Sequence, residues 1–193
     1  MSAFRAPWAL CGGWAVDAWL GRETRDHADV DIIVFHDDRL AFFEHMAGWQ
    51  MIAHDTTVSG NTAEPWNGRP LVLPAHIHAR SVDGQSGLPD RLDDPGGQGF
   101  SLDVQVNECS GDDWILWDGP RISLPLGNGV QQSPWGLPTV VPEVLLFFKA
   151  RDLRRRDKLD FLALRAHLSE RQSSWLREAI SLLGHPWLSE LAS

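Results

Sequence analysis

The sequence predicts an α+β fold: a β-sheet flanked by helices, with a helical bundle at the C-terminal end. Three observations carry this reading. Strand and helix patterns alternate from Trp8 to Gly48, a two-residue alternation runs from Phe100 to Val106, and from Pro142 onward the apolar residues recur at helical spacing. The chain has 193 residues, 43% of them hydrophobic and 22% charged. That is enough to bury a core without disulfide or metal staples, and it excludes a disordered or collagen-like chain.

The elements follow in order. Trp8-Ala9-Leu10-Cys11 reads as a short buried strand that ends in a Gly12-Gly13 turn. Trp14 to Leu20 makes about two helical turns, with Gly21 placed as the cap. After the polar loop Arg22–His27, Val30-Asp31-Ile32-Ile33-Val34-Phe35 gives the strongest strand signal. Asp37 or Asp38 is placed to cap a helix through Leu40, Phe43 and Met46, closed by Gly48. Residues 54–70 and 83–99 read as loops. Leu71 to Arg80 reads as one or two strands broken at Pro74, and Trp114–Trp117 as a hairpin strand. Residues 118–139, with four prolines, read as loop. Pro142-Glu143 opens a helix with an apolar stripe at Val144, Leu145, Phe148 and Leu153. Further helices follow over Leu159–Leu168 and Trp175–Leu183, stopped by Gly184 and Pro186. Residues 1–139 are expected to form the α/β domain and residues 140–193 the helical region.

Charge and composition narrow the function. Asp and Glu number 26 against 17 Lys and Arg, a net charge of −9. Nucleic acid and anionic membranes repel such a chain, so nucleic acid is not an expected partner, and an anionic ligand needs local donors or a metal. No apolar run reaches the ~18 residues of a membrane span, and the N-terminus carries no secretory pattern. Cys11 and Cys109 form no disulfide framework and read as small hydrophobes. A cytoplasmic location is expected.

The chemistry centres on Asp29-Val30-Asp31. Residues i and i+2 of a strand share a face ~7 Å apart, so two carboxylates can grip one hard divalent cation. By itself such a pair is as easily two solvated acids at a strand edge. Asp103, on the polar face of its strand, supplies a third carboxylate if the strands are neighbours, and three converging acids repel one another unless a cation lies between them. Gly12-Gly13 before a helix lets backbone N–H groups approach a phosphate. Arg22, Arg25 and His27 either touch that phosphate or position the loop. Lys149 is a second phosphate candidate. The basic run Arg151, Arg154, Arg155, Arg156 and Lys158 reads as a solvated helix face, and Asp17 and Asp26 as surface and capping residues. His76 and His78 share a strand face, but without a third ligand at suitable spacing zinc is not expected.

These residues carry a resemblance. Cys11-Gly12-Gly13-Trp14-Ala15-Val16-Asp17 with Gly21–Ile32, then Leu102–Glu108, Pro142–Ala150 and Arg156–Phe161, resembles the nucleotidyltransferase superfamily, whose best-known member is DNA polymerase beta. Within it, the pattern is similar to the aminoglycoside and lincosamide adenylyltransferase branch. The resemblance implies a mixed sheet and a Gly12-Gly13 turn that holds a nucleoside triphosphate, probed also by Arg25 and Lys149. It implies Asp29, Asp31 and Asp103 as catalytic and Mg²⁺-binding residues, with Asp103 as the candidate base. The expected reaction moves AMP, or another nucleotide, from ATP or a related NTP to a hydroxyl of a small molecule such as an aminoglycoside or lincosamide. Loop acids Glu64, Asp93 and Asp94 would suit a cationic acceptor. The alternatives are a toxin-like enzyme that modifies protein or tRNA, and a non-catalytic nucleotide-binding module. Relatives carry a helix ahead of the Gly-Gly strand, where seven residues precede Trp8 here.

Overall fold

A computed structural model describes residues 1–55, 64–81, 101–116, 122–151, 154–182 and 184–191. The strands are β1 Trp8–Leu10, β2 Val30–Phe35, β3 Trp49–His54, β4 Glu64–Pro65, β5 Ala75–Ser81, β6 Ser101–Ser110, β7 Asp113–Leu116, β8 Ile122–Pro125, β9 Val130–Gln132 and β10 Pro138–Val140. The helices are α1 Gly12–Leu20, α2 Arg39–His45, α3 Leu126–Gly129, α4 Pro142–Lys149, α5 Arg155–Arg165, α6 Glu170–Ser181 and α7 Trp187–Leu191. A turn of 3-10 helix, His36–Asp38, leads into α2.

The sheet runs β4-β3-β5-β6-β2-β1-β10-β9, and β7 and β8 extend it from the far half of β6. The β2–β6 and β1–β10 pairs are parallel and the others antiparallel, so the sheet is mixed. Ile32 to Phe35 of β2 are all buried, as a central strand covered on both faces requires. On β6 the alternation holds: Leu102, Val104 and Val106 are buried, while Asp103 and Gln105 lie on the opposite, half-buried face.

Local chemistry sets the helix limits. Gly21 ends α1 with a left-handed φ of 67°. Pro142 opens α4 in the first turn, where its missing N–H costs nothing. Ser169 and Gln172 form a reciprocal capping box on α6. Helix α1 packs on β2, α4 and α5 pack on α1, and α6 packs on α4. One apolar cluster joins sheet and helices, including Ile32, Val104, Phe147, Phe161, Leu164 and Leu176.

Several expectations are corrected. Residues 122–140 are not a loop but carry β8, α3, β9 and β10: Pro125 ends β8 at the sheet's edge and Pro138 is the first residue of β10, positions where a strand tolerates proline. Only Ala75–Ser81 of the 71–80 stretch is strand. β3 and α7 carry too little periodicity to be read in advance. The Asp38 side chain makes no capping hydrogen bond. The first helix begins at Gly12, so the glycines form its first turn rather than a turn before it. Loop 83–99 with Asp93 and Asp94, and residues Phe100, Trp117, Leu153 and Leu183, lie outside the described residues.

Phe147 is fully buried in α4 and meets Trp175 of α6 edge-on, with centroids 6.0 Å apart. Phe147→Ala is expected to cost about 3–5 kcal/mol in denaturant unfolding. Because sheet and helices share one cluster, the variant should still unfold in a single transition.

Candidate active site

The parallel register of β2 and β6 places Asp31 directly beside Asp103, on adjacent strands about 4.8 Å apart. Asp29 precedes β2 and is exposed. One carboxylate oxygen from each of Asp29, Asp31 and Asp103 lies within 4.8 Å of the other two. The three acids predicted from the sequence therefore do converge.

Like charges side by side in a sheet are destabilising, and the ionisation behaviour reflects it. Burial, then the charges of Asp29 and Asp103, push the Asp31 carboxyl up to about 6. Burial likewise raises Asp103, partly offset by His76 and His78. The Cys11 thiol is driven well above its ordinary value by burial and by Asp31 and Asp103, so it stays protonated and inert. Asp103 Oδ1 is buried with no hydrogen-bond partner among the described residues. An orphaned carboxylate oxygen beside two further acids is the donor set a hard divalent cation takes, and these residues fit Mg²⁺.

The glycines are fixed by this cluster. Gly12 has φ +65°, and a Cβ there would fall on the Asp31 carboxylate. A Cβ at Gly13 would strike the His27 ring and lie 2.6 Å from Arg25 Nη2. The start of α1 is thus pressed against Asp31 on one side and Arg25 on the other.

A buried clamp shapes the loop between α1 and β2. Asp17, read from sequence as a surface residue, is fully buried. It accepts a hydrogen bond from the Thr24 N–H at 3.1 Å and another from the Thr24 hydroxyl, and lies 2.7 Å from His27 Nε2. His27 is a buried strut of the loop, held against Asp17. No local pattern reveals this, since the partners of Asp17 arrive only when the loop folds back.

Lys149 and Arg25 meet buried acids of α5. Lys149 Nζ lies 2.7 Å from Asp160 and 3.4 Å from Asp157, and Arg25 Nη2 is 3.5 Å from Asp160. Arg154 Nε is 2.7 Å from Asp157. Charges on Lys149 and Arg156 also lower Asp31, against the larger upward effects. Asp157 and Asp160 were missed because acids on a basic helix read as surface pairs. Glu64 is exposed at the sheet edge, 3.8 Å from Arg69.

On the face that carries Asp103, a second cluster stands one strand further out. His54 of β3 pairs with His76 of β5, and His78 of β5 pairs with Asp103. The third histidine that the sequence lacked at local spacing comes from a neighbouring strand.

A glycine-started helix beside three carboxylates on a mixed sheet defines the architecture, and its fold is similar to that of solved antibiotic adenylyltransferases. Residues 1–59, which hold Gly12, Gly13, Asp29 and Asp31, match the aminoglycoside-2''-adenylyltransferase family. The solved lincosamide antibiotic adenylyltransferase LnuA with lincomycin bound is similar at 17% identity and a TM-score of 0.52, over 82% of this chain and 85% of that one. ANT(2'')-Ia in complex with adenylyl-2''-tobramycin is similar at 15% identity and a TM-score of 0.54, over 91% of this chain and 87% of that one. Its solution structure gives 15% and 0.54, over 91% and 82%. No curated protein sequence matches. The resemblance to the adenylyltransferase branch is supported by the family match over residues 1–59 and by the likeness of fold. Among the described residues no helix is long and apolar enough to cross a membrane.

The raised Asp31 fixes a pH dependence. Between the unfolded value near 4 and about 6, the folded chain keeps a proton that the unfolded chain releases. Stability from this group is full below pH 4 and is lost as pH rises through 6. Without divalent metal, Asp31→Asn should therefore melt above wild type at pH 7–8, with the gap closing near pH 4. A gap unchanged across that range in thermal melts would contradict the raised carboxyl.

Proposed function

We propose that the chain transfers AMP from ATP to a hydroxyl of a small antibiotic-like molecule, an aminoglycoside or a lincosamide. The observation that carries this reading is the convergence of Asp29, Asp31 and Asp103 beside the glycine-started end of α1. The adenylyltransferases to which the fold is similar, with lincomycin or adenylyl-2''-tobramycin bound, support the acceptor class.

Asp29, Asp31 and Asp103 would hold Mg²⁺, which when bound neutralises phosphate charge and aligns the in-line displacement. The backbone N–H groups of Gly12 and Gly13 would meet the triphosphate at the positive end of α1. Arg25, against Gly13, and Lys149, both held at Asp160, would add positive charge. The acceptor oxygen bonds to the α-phosphorus, the bond to the bridging oxygen breaks, and diphosphate leaves. Asp103 Oδ1, which makes no hydrogen bond among the described residues and lies 3.9 Å from His78 Nε2, accepts the hydroxyl proton. The acceptor would approach from the β5 side of Asp103.

The direct test is incubation with ATP and Mg²⁺ against a panel of aminoglycosides and lincosamides, read by mass spectrometry. One acceptor should gain the mass of AMP with release of diphosphate. Failure of every acceptor, with Mg-ATP still bound, would remove this acceptor class.

The acids should divide their labour. Asp29→Asn and Asp31→Asn are expected to weaken Mg-ATP binding as well as turnover. If Asp103 acts mainly as the base, Asp103→Asn should nearly keep Mg-ATP binding while kcat falls by ~10²–10⁴; a loss of Mg-ATP binding matching that of the other two variants makes it chiefly a metal ligand. Binding titrations and initial rates on the three variants separate the roles, and wild-type turnover by Asp103→Asn would deny it the part of base.

A further inference from the structure

We propose that His54, His76 and His78 form a second metal site, selective for a borderline transition-metal cation of the Zn²⁺ type and separate from the carboxylates. Each of the three imidazoles offers a nitrogen within 4.8 Å of the other two. Their rings are in mutual contact: His54 stacks on His76 at 4.6 Å and 6°, and His78 lies 4.7 Å from His54 and 5.0 Å from His76. Among the described residues none of their ring nitrogens makes a hydrogen bond, and His78 Nε2 lies 3.9 Å from Asp103 Oδ1, beyond hydrogen-bond reach.

The strands enforce this meeting. His76 and His78, two residues apart on β5, share a face, and the antiparallel register brings His54 of β3 opposite His76. Zn–N bonds of 2.0–2.1 Å place the nitrogens of a tetrahedral site about 3.3–3.4 Å apart. Closing from 4.8 Å to that spacing asks for about 1.5 Å at most, within reach of small side-chain rotations. His54 and His76 are half-buried and His78 is exposed, which leaves an entry path and an open fourth position. Asp103 Oδ1, 3.9 Å from His78 Nε2, borders that position. Three protein ligands with one coordination site open is the pattern of zinc centres that bind water or a substrate atom.

Ligand softness separates the two sites. Imidazole suits Zn²⁺ and its neighbours, whereas Mg²⁺ takes oxygen ligands and keeps water. The inference does not rest on the proposed transfer reaction.

Equilibrium dialysis of the intact chain against micromolar ZnCl2 with millimolar MgCl2, followed by metal analysis, tests it. One Zn²⁺ per chain is expected, retained in Asp29→Asn and Asp31→Asn. His54→Ala and His78→Ala should each weaken zinc affinity at least ~10–100-fold. Co²⁺ in place of Zn²⁺ should give the intense visible bands of four-coordinate cobalt in wild type and not in His78→Ala. His78 is exposed, so its truncation should leave the far-ultraviolet circular dichroism unchanged. Absence of stoichiometric zinc in wild type would overturn the proposal. So would zinc that is lost with the Asp variants yet kept in both His variants.

Discussion

The structure turns on one register: the parallel alignment of β2 and β6 that sets Asp31 beside Asp103. Two carboxylates on adjacent strands in a half-buried setting oppose folding: burial raises both carboxyls, and the charges of Asp29 and Asp103 raise Asp31 further. Apolar packing holds the register regardless. Ile32 and Val34 on β2 and Val104 and Val106 on β6 are buried on the other face, and a one-residue slip would turn them outward. The hydrophobic face thus imposes an electrostatic strain of the kind that a bound divalent cation would relieve.

Around this pair, buried charge serves to position rather than to react. Asp17 ties the loop after α1 to the helix through Thr24 and His27, which sets the approach of Asp29. Asp157 and Asp160, both buried, collect Lys149, Arg154 and Arg25. Removing one member would leave an uncompensated buried charge, the costly case. Helix α5, the loop and α4 are therefore joined through ion pairs as well as through the apolar cluster.

Much of this was legible from the chain. The bounds of β2, the glycine pair, the alternation of β6 and the three acids follow from local patterns whose period matches one burial face. The rest depends on tertiary return. Asp17 sits among apolar residues of α1, and nothing within its own turns announces a buried partner. His54 stands 22 positions before His76, so only strand pairing makes it a neighbour. The strands β8 to β10 are too short for periodicity to rise above the prolines in and between them. Asp157 and Asp160 look like the surface acids of a basic helix until α5 is packed on α1 and α4.

The β2–β6 pairing also has a consequence in time. Asp31 and Asp103 are 72 positions apart in the chain, and a parallel pair needs a long crossover before either strand gains anything from the other. The helical segments close on local contacts and are expected to form early, whereas this central pairing is a late, non-local event. No partly folded state that lacks it can chelate a cation with all three acids. The carboxylate cluster cannot exist before this closure, so if it binds a divalent ion, that affinity would report the completion of the β2–β6 pairing.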